Sequence, residues 1–304
     1  MNSQKSPLKT QCVAVAVIIS LVLVLGVSLI PATRASNLTY TTIDPPGSTF
    51  TLALGINASG DIVGNYGTTD GKGHGFLLSK GTFTTIDVPG AGLLSEANGI
   101  NDAGVIAGIW GLVTEEHGYV INKGSFTTTD FPGAVLTFFS NINNRGDVVG
   151  GYLDAAGIEH GLLLRTGNFT TIDFPDAVSF SGVADINAGG QIVGNYDNAA
   201  GNRHGFLLSS GEFTLIDFPG SSSTEVFGIN AQGEIVGRYA FGGQDPFFAG
   251  HGFLLRDGAF TTIDFPGATS TTAARINAHG EVVGLYIDVN GVVHGFVTSS
   301  VGGV

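Results

Sequence analysis

The sequence is poor in cysteine, tryptophan, methionine and charge. Of its 304 residues, one is cysteine, one is tryptophan, one is methionine and 12% are charged. The single cysteine, Cys12, lies outside the repeats described below, so the repeats hold neither a disulfide framework nor a thiol nucleophile. Twelve basic against 25 acidic residues leave a net charge of −13. Such a chain repels phosphate backbones, which argues against nucleic acid as a partner and is compatible with basic partners.

A long apolar run occurs once, at residues 13–30. Lys5 and Lys9 precede it, and Thr33-Arg34-Ala35 follow it. Positive, apolar and then small residues are typical of an export signal, here residues 1–35. The run is also near the lower limit for a membrane-spanning helix, so an uncleaved anchor is the alternative, and membrane association is expected only in that case. We therefore expect an extracytoplasmic protein, either secreted or periplasmic.

Six similar units follow the apolar run. A His-Gly dipeptide recurs at a spacing of 43 to 47 residues, which is typical of a repeat architecture. Its histidines are His74, His117, His160, His204, His251 and His294. In phase with it recur an Ile-Asn-x-x-Gly turn signal, a short apolar run ending in Gly, and a segment close to Phe-Thr-Thr-Ile-Asp. The Asn-x-x-Gly and Pro-Gly sequences predict tight turns between strands.

Each unit contains four short segments rich in Phe, Ile, Val and Thr. In the fifth unit they span residues 227–230, 234–237, 251–255 and 260–264. Consecutive apolar residues in the middle segments predict strands buried on both faces. A four-stranded sheet covered on both faces by its neighbours is a propeller blade. The sequence thus predicts an all-β, six-bladed β-propeller over residues 36–304, with an open β-solenoid as the alternative.

The chain ends predict how the ring closes. The last unit stops without a Phe-Thr-Thr-Ile-Asp strand, whereas residues 40–44 form such a strand with no His-Gly strand before it. Each of the six units has one strand of every type only if the N-terminal strand completes the last blade, and this closure removes an open edge.

We expect the protein to be a monomer.

The repeated histidines are not expected to bind a metal ion. Equivalent positions on six blades are too far apart to converge on one ion. A hydrogen bond from each histidine to a carboxylate or carbonyl of its own blade is the better interpretation. Asp70, Asp154, Asp197 and Asp288 lie in Asp-Gly-type turns, where Ca²⁺ is the alternative. No cofactor is predicted.

Departures from the repeat identify candidate binding residues. The fifth unit has an insertion that contains Phe241, Phe247 and Phe248, and the second has Trp110 where other units have Tyr. Aromatic side chains on an enlarged loop could stack on a sugar or contact a protein, or fold back over the blade edge. Asp185 and Arg275 precede the Ile-Asn pair, and paired charges near the axis could orient a small polar ligand.

The combined motif resembles a known family. Ile-Asn-x-x-Gly-x-Ile-Val-Gly, His-Gly-Phe-Leu-Leu and Gly-x-Phe-Thr-x-Ile-Asp are similar to the bacterial extracellular repeats of the HAF family, named for His-Ala-Phe. Gly replaces the central Ala here, so the chain resembles a variant branch over residues 37–304. The resemblance implies an exported bacterial protein with a propeller-like fold, and it transfers no catalytic residue.

These observations predict a non-enzymatic binding or scaffold protein outside the cytoplasm, with a carbohydrate or protein partner. The alternative is a polysaccharide hydrolase or lyase acting at the channel mouth. That activity would require two close carboxylates or an acid–base pair, with Asp185, Glu96 and Glu225 as the residues to test.

Overall fold

A computed structural model describes residues 33–34, 38–112, 114–178, 180–243 and 246–299. These residues belong to one compact unit, Pro31–Val304. Apart from Thr33 and Arg34, the predicted export segment lies outside the described residues. Within the described ranges, no helix is both long and apolar enough to cross a membrane.

Short β-strands make up almost all of the regular structure. In chain order they are β1 (Thr33–Arg34), β2 (Tyr40–Ile43), β3 (Phe50–Ile56), β4 (Ile62–Gly67), β5 (Gly73–Ser79), β6 (Thr82–Ile86), β7 (Leu94–Ile100), β8 (Ile106–Leu112), β9 (Glu115–Asn122), β10 (Ser125–Thr128), β11 (Leu136–Ile142), β12 (Val148–Leu153), β13 (Glu159–Arg165), β14 (Asn168–Ile172), β15 (Ser181–Ile186), β16 (Ile192–Asp197), β17 (Arg203–Ser209), β18 (Glu212–Ile216), β19 (Ser223–Ile229), β20 (Ile235–Ala240), β21 (His251–Arg256), β22 (Ala259–Ile263), β23 (Ser270–Ile276), β24 (Val282–Ile287) and β25 (Val293–Thr298). One short helix, α1 (Pro246–Ala249), lies between β20 and β21.

The strands form antiparallel four-stranded units, which we call blades. Blades 1 to 5 run β3–β6, β7–β10, β11–β14, β15–β18 and β19–β22, each paired in sequence order. Blades 1 and 2 are joined into one eight-stranded sheet through a parallel bridge between Gly73 and Leu94. Blade 6 has the order β2-β25-β24-β23. The predicted all-β propeller class is confirmed.

The N-terminal strand completes blade 6, as the sequence predicts. Strand β2 pairs with β25 from Tyr40 opposite Thr298 to Ile43 opposite Gly295. Across the same pair, His294 Nδ1 lies 2.7 Å from a carboxylate oxygen of Asp44. Residues from both ends of the chain therefore share one sheet, and β2 covers the edge of β25 that the C-terminal end of the chain would otherwise leave open.

A β-bulge occurs in the first strand of every blade. In blade 4 the register shifts between Val183 and Asp185, so Ala184 is the extra residue. The bulge brings the first strand close to the second strand, at the glycine that recurs in the second strand of every unit. A Cβ at Gly194 would lie 2.2 Å from the carbonyl oxygen of Gly182, and the five equivalent glycines are as tightly placed. Glycine is required there because no side chain fits.

The apolar core lies between neighbouring blades. One cluster joins Val236 and Ile263 of blade 5 to Ala273 and Phe296 of blade 6. Another joins Val283 of blade 6 to residues of blade 1, which closes the core into a ring. Aromatic stacking adds to four of these contacts, between a Phe after the fourth strand and a Tyr of the next blade. The pairs are Phe131–Tyr152, Phe174–Tyr196, Phe218–Tyr239 and Phe265–Tyr286, with ring centroids 3.5 to 3.9 Å apart.

Two elements lie outside the predicted pattern. The insertion of blade 5 contains helix α1, which begins at Pro246, a residue favoured at the first helical position because it needs no N–H partner there. Thr33 and Arg34 pair in parallel with Thr261 and Thr262 of the outer strand of blade 5. Part of the segment that we predict to be an export signal therefore contributes backbone hydrogen bonds to the fold.

Candidate binding site at one end of the central channel

Six asparagines form a closed ring of hydrogen bonds around one end of the channel. The side-chain Nδ2 of each donates to the backbone carbonyl of the corresponding asparagine in the next blade, over 3.0 to 3.4 Å. The ring runs through Asn57, Asn101, Asn143, Asn187, Asn230 and Asn277, and the bond from Asn277 to Asn57 closes it. All six are buried. The sequence predicts their turns but not these contacts between blades.

Each asparagine also holds its own turn. In blade 4, Asn187 Oδ1 accepts the backbone N–H of Gln191 over 3.0 Å, and its Nδ2 also donates to Gln191 Oε1 over 2.8 Å. An i+4 bond of this kind to the backbone recurs in all six blades. One amide therefore fixes a turn and joins two blades.

Arg275 and Asp185 meet inside the channel and close it. The guanidinium of Arg275 donates to four backbone carbonyls over 2.5 to 3.0 Å, and its Nε lies 3.9 Å from Asp185 Oδ2. The four carbonyls belong to bulge residues of blades 3 to 6, namely Ser140, Ala184, Phe227 and Ala274. Arg275 therefore ties four blades together across the axis.

Asp185 is also engaged by hydrogen bonds, whereas the Nε of Arg275 is buried without a hydrogen-bond partner among the described residues. Its carboxylate accepts the N–H groups of Ile186 and Ile229 and the side-chain amide of Asn141. Burial raises the pKa of Asp185 and lowers that of Arg275, and each charge counteracts the shift of the other. The structure thus brings the two predicted charges together, but it uses their hydrogen-bonding capacity inside the protein.

Three of the six channel positions equivalent to Arg275 are glycine. A Cβ at Gly99 would lie 2.1 Å from Asn141 Oδ1, and one at Gly228 would lie 2.9 Å from the Cα of Arg275. Asn141, Asp185 and Arg275 therefore occupy the space that the glycines leave free. The central channel is filled at this level and is not an open pore.

A cavity lies on the other side of Arg275 from the asparagine ring, and we call it the variable cavity. Its volume is about 350 Å³, within the range of small-molecule sites. It is lined mainly by apolar side chains, and its residues are Leu54, Asn98, Phe138, Ser140, Glu159, Phe180, Gly182, Val183, Ala184, Asn195, Phe227, Arg238, Thr272, Ala274, Arg275 and Leu285. All six bulge residues are among them. In contrast to the asparagine ring, equivalent positions here differ from blade to blade.

Ion pairs with aromatic contacts form the wall of blades 4 and 5. Arg238 binds the buried carboxylate of Glu225 with two hydrogen bonds of 3.0 and 3.1 Å. Arg203 binds Asp197 in the same two-bond manner, over 2.8 and 3.0 Å. The guanidinium of Arg203 lies 4.2 Å from the centre of the Phe180 ring, and that of Arg238 lies 5.3 Å from the centre of the Phe227 ring. Both arginines are thereby held in place and largely neutralised.

Two acidic side chains at this end differ from those pairs. Glu159 lines the variable cavity, is partly buried, and accepts no hydrogen bond from the described residues through its carboxylate. Its pKa is raised by burial, with a smaller opposing effect of Arg203. Glu96 of blade 2 is also partly buried, and burial raises its pKa to about 7, against a hydrogen bond from Asn65 that lowers it. The ionised form of each of these two side chains is therefore less stable than the ionised form of a carboxylate on the protein surface.

The predicted aromatic residues do not form one cluster, although the rings of Phe247 and Phe248 pack edge to face with centroids 5.1 Å apart. Trp110 lies in β8 and takes the place of the repeated Tyr: its Nε1 donates to Thr128 over 3.1 Å, and its ring packs on His117. Phe241 packs edge-on against Tyr239 and Phe218 at the edge of blade 5. Phe247 faces Arg238, whereas Phe248 is 64% exposed. Phe247 is therefore next to Arg238, a residue of the cavity wall.

The repeated histidines lock the blades, as the sequence predicts. Each Nδ1 lies 2.7 to 2.9 Å from an oxygen of the aspartate that follows the fourth strand of its blade. Among the turn aspartates, Asp154 and Asp288 accept N–H groups of their own loops, and Asp197 binds Arg203. The part of the chain that the structure describes contains no group of three or more His, Cys, Asp or Glu that could hold a metal ion.

The sequence analysis does not predict most of the residues that line the variable cavity. Phe138, Glu159, Phe180, Phe227 and Arg238 were not predicted to share a site. Side chains alternate between the faces of a regular strand, so a residue next to a channel-facing one should point away. The bulge breaks this alternation and turns both neighbours toward the channel. The available signal was that these positions vary among the six units.

Comparisons with solved structures agree with this architecture. A complex of Aleuria aurantia lectin with α-methyl-L-fucoside matches 84% of this chain and 93% of its own, at a TM-score of 0.53 and 11% identity. A second structure of that lectin, described as a six-bladed β-propeller, matches at a TM-score of 0.50 and 10% identity, covering 83% of this chain and 93% of its own. The chain is a β-propeller.

Two further solved structures match most of this chain at similarly low identity. A gluconolactonase from Xanthomonas campestris matches 87% of this chain and 91% of its own, at a TM-score of 0.51 and 11% identity. TolB from Acinetobacter baumannii matches at a TM-score of 0.47 and 13% identity, and this propeller spans 54% of its length. No protein-family model and no curated protein matches the sequence. At these identities the likeness concerns the fold alone.

Proposed function

We propose that this propeller is an exported binding module whose variable cavity takes a carbohydrate. One observation carries the proposal: a cavity of about 350 Å³ that combines three phenylalanine rings with charged and amide groups at its wall. The apolar face of a sugar ring packs on aromatic rings, while its hydroxyls exchange hydrogen bonds with polar side chains. The fucoside complex of the Aleuria aurantia lectin, on the same fold, supports a sugar as the ligand class.

Export and family membership belong to the same proposal. Residues 1–35 have the order of positive, apolar and small residues that is typical of an export signal. The six in-register units resemble HAF-type extracellular repeats, which are found in exported bacterial proteins. A secreted or periplasmic location would bring the cavity into contact with cell-surface or environmental glycans.

A glycan array with the full-length chain tests the carbohydrate proposal. We expect binding to a restricted set of glycans, and a loss of at least about tenfold in affinity for Phe180→Ala and for Phe227→Ala, since each removes an aromatic wall. Leu215→Ala is the matched control, because Leu215 is an exposed apolar residue on outer strand β18. Glycan binding that is equally strong in all three variants would contradict the location of the site.

A protein partner is the second candidate, and the exposed apolar side chains favour it. Among the described residues, all the exposed large hydrophobic side chains except Phe126 and Leu215 lie at or just before the start of a first strand, or between the end of a second strand and the start of the third, which is the end of the blades opposite the asparagine ring. They are Phe50, Leu93, Leu112, Val135, Ile158, Val178, Phe241, Phe248, Val289 and Val292. A scaffold role predicts that Val178→Asp with Phe248→Asp abolishes capture of a protein partner while the glycan array profile is unchanged.

A hydrolase or lyase remains the third candidate because of Glu96. A carboxyl group with a pKa of about 7 can act as a general acid near neutral pH. This candidate predicts that any polysaccharide bound on the array is shortened on incubation, and that Glu96→Gln stops cleavage without weakening binding. Release of no fragments from a bound polysaccharide would eliminate it.

A further inference from the structure

The arginines of the variable cavity are already engaged by the protein. Arg275 is bonded to four carbonyls and faces Asp185. Arg238 is bound to Glu225, and Arg203, at the adjoining wall, to Asp197, each through two hydrogen bonds. Little positive charge is therefore left to attract an anionic ligand.

The charge that remains without a hydrogen-bond partner is negative. The carboxylate of Glu159 lines the cavity and accepts no hydrogen bond from the described residues. Arg203 is the positive charge that affects it, while Asp197 and Glu116 are negative charges that act on it as well. The oxygens of Glu159 are not among the buried polar atoms that lack a hydrogen-bond partner, so they are accessible to solvent and to a ligand in the cavity.

The aromatic wall favours a cation for an independent reason. The faces of Phe180 and Phe227 already accept the guanidinium groups of Arg203 and Arg238. The third ring, Phe138, lies on blade 3 together with Glu159 and also lines the cavity. Because Phe138 and Glu159 both line this cavity, a ligand that fills it can present a positive group to the ring or to the carboxylate, and each is favourable for a cation.

We propose that the variable cavity selects a sugar that carries a protonated amine, namely a glucosamine-type residue, through Glu159 and Phe138. This inference rests on the proposed carbohydrate function and narrows its ligand class. The net charge of −13 adds a long-range attraction for such a polycation.

Titration calorimetry of the full-length chain at mildly acidic pH tests the inference. The probes are the trisaccharides of glucosamine, of N-acetylglucosamine and of galacturonic acid. We expect the glucosamine trisaccharide to bind about tenfold more tightly than the acetylated one, and the galacturonic acid probe to bind most weakly. Glu159→Gln should reduce the preference for the amine to about twofold or less. Glu212→Gln, the same change at an exposed residue of β18, should leave it unchanged.

The outcomes separate the two proposals. Binding of all three probes with similar affinity, or a preference for the amine that survives Glu159→Gln, overturns the amine inference and leaves the carbohydrate proposal standing. Absence of binding by every probe in the calorimeter and by every glycan on the array overturns both.

Discussion

The two ends of the central channel are built from the same six strands, yet they differ in how their residues are used. At one end, six identical asparagines repeat one set of hydrogen bonds from blade to blade. At the other end, the bulge positions carry Leu54, Asn98, Ser140, Ala184, Phe227 and Ala274. Within one chain, the repeated end serves the ring and the variable end is free to serve a ligand.

Arg275 separates the two ends and belongs to neither pattern. It occupies a position that is glycine in three blades, and its guanidinium bonds to carbonyls of four. A single departure from the repeat can therefore be structural. Variation alone does not identify a binding residue; its polar groups must also be accessible, and the carboxylate of Glu159 accepts no hydrogen bond from the described residues.

The largest effect is expected from opening the ring. Deletion of residues 36–46 removes β2 and the Asp44 partner of His294, and it exposes the edge of β25. We expect the melting temperature to fall by roughly 10 °C or more, or the chain to fail to fold, because a whole strand and its part of the core are lost. Calorimetry gives the measurement, and a deletion variant that melts with the parent would contradict closure by β2.

Replacing Arg275, which separates the two ends of the channel, should destabilise the fold almost as much. Arg275→Met leaves the carboxylate of Asp185 buried without its cation, and we expect a loss of about 3–5 kcal/mol in the free energy of unfolding. Adding Asp185→Asn should restore most of that loss, since the buried charge is then removed. Denaturant titration of both variants measures this, and equal stability of the single and double variants would argue against a coupled pair.

A direct comparison of the two ends comes from one substitution in each. Asn187→Ala removes the bonds to Asn230 and Gln191 and should lower the free energy of unfolding by about 2 kcal/mol. Phe180→Ala should cost about 1 kcal/mol or less, because its ring is only partly buried. Urea denaturation measures the free energy of unfolding of both variants. A larger loss for Phe180→Ala than for Asn187→Ala would contradict the structural role that we assign to the asparagine end.

The smallest effect is expected on the pH dependence of stability, through the hydrogen bonds between the repeated histidines and their aspartates. Burial by itself would lower the pKa of His160, but hydrogen bonds and charges from Asp173 and Asp154 outweigh burial and raise it. A raised pKa stabilises the fold below the ordinary histidine value of about 6.5, and this contribution is lost as pH rises through the folded-state pKa.

Asp154→Asn tests this contribution, since blade 4 already has Asn198 at the equivalent position. The variant should melt at most about 2 °C lower than the parent at mildly acidic pH, and the difference should shrink at alkaline pH. A difference that grows with pH would show the opposite sign and contradict the assignment to His160.

Much of the fold could be predicted because the repeat carries strong local signals. Asn-x-x-Gly and Pro-Gly turns, β-branched and aromatic segments, and the His–Asp spacing of 13 residues each act within one unit. The strand count at the two termini predicted closure, and β2 pairs with β25 as expected. The site was harder to predict because its residues come from different blades, and because the bulges that align them interrupt the alternation by which side-chain direction is read from a strand sequence.

From sequence alone, six equivalent sheets and their closure were determined, because hydrophobic pattern and turn chemistry repeat along the chain and act over short distances. Tertiary structure alone decided that the asparagines bond from blade to blade, that Arg275 fills the axis, and that the carboxylate of Glu159 accepts no hydrogen bond from any residue in the described ranges. These outcomes depend on which groups meet across the ring, and contacts between blades more than 40 residues apart follow from three-dimensional packing rather than from local spacing.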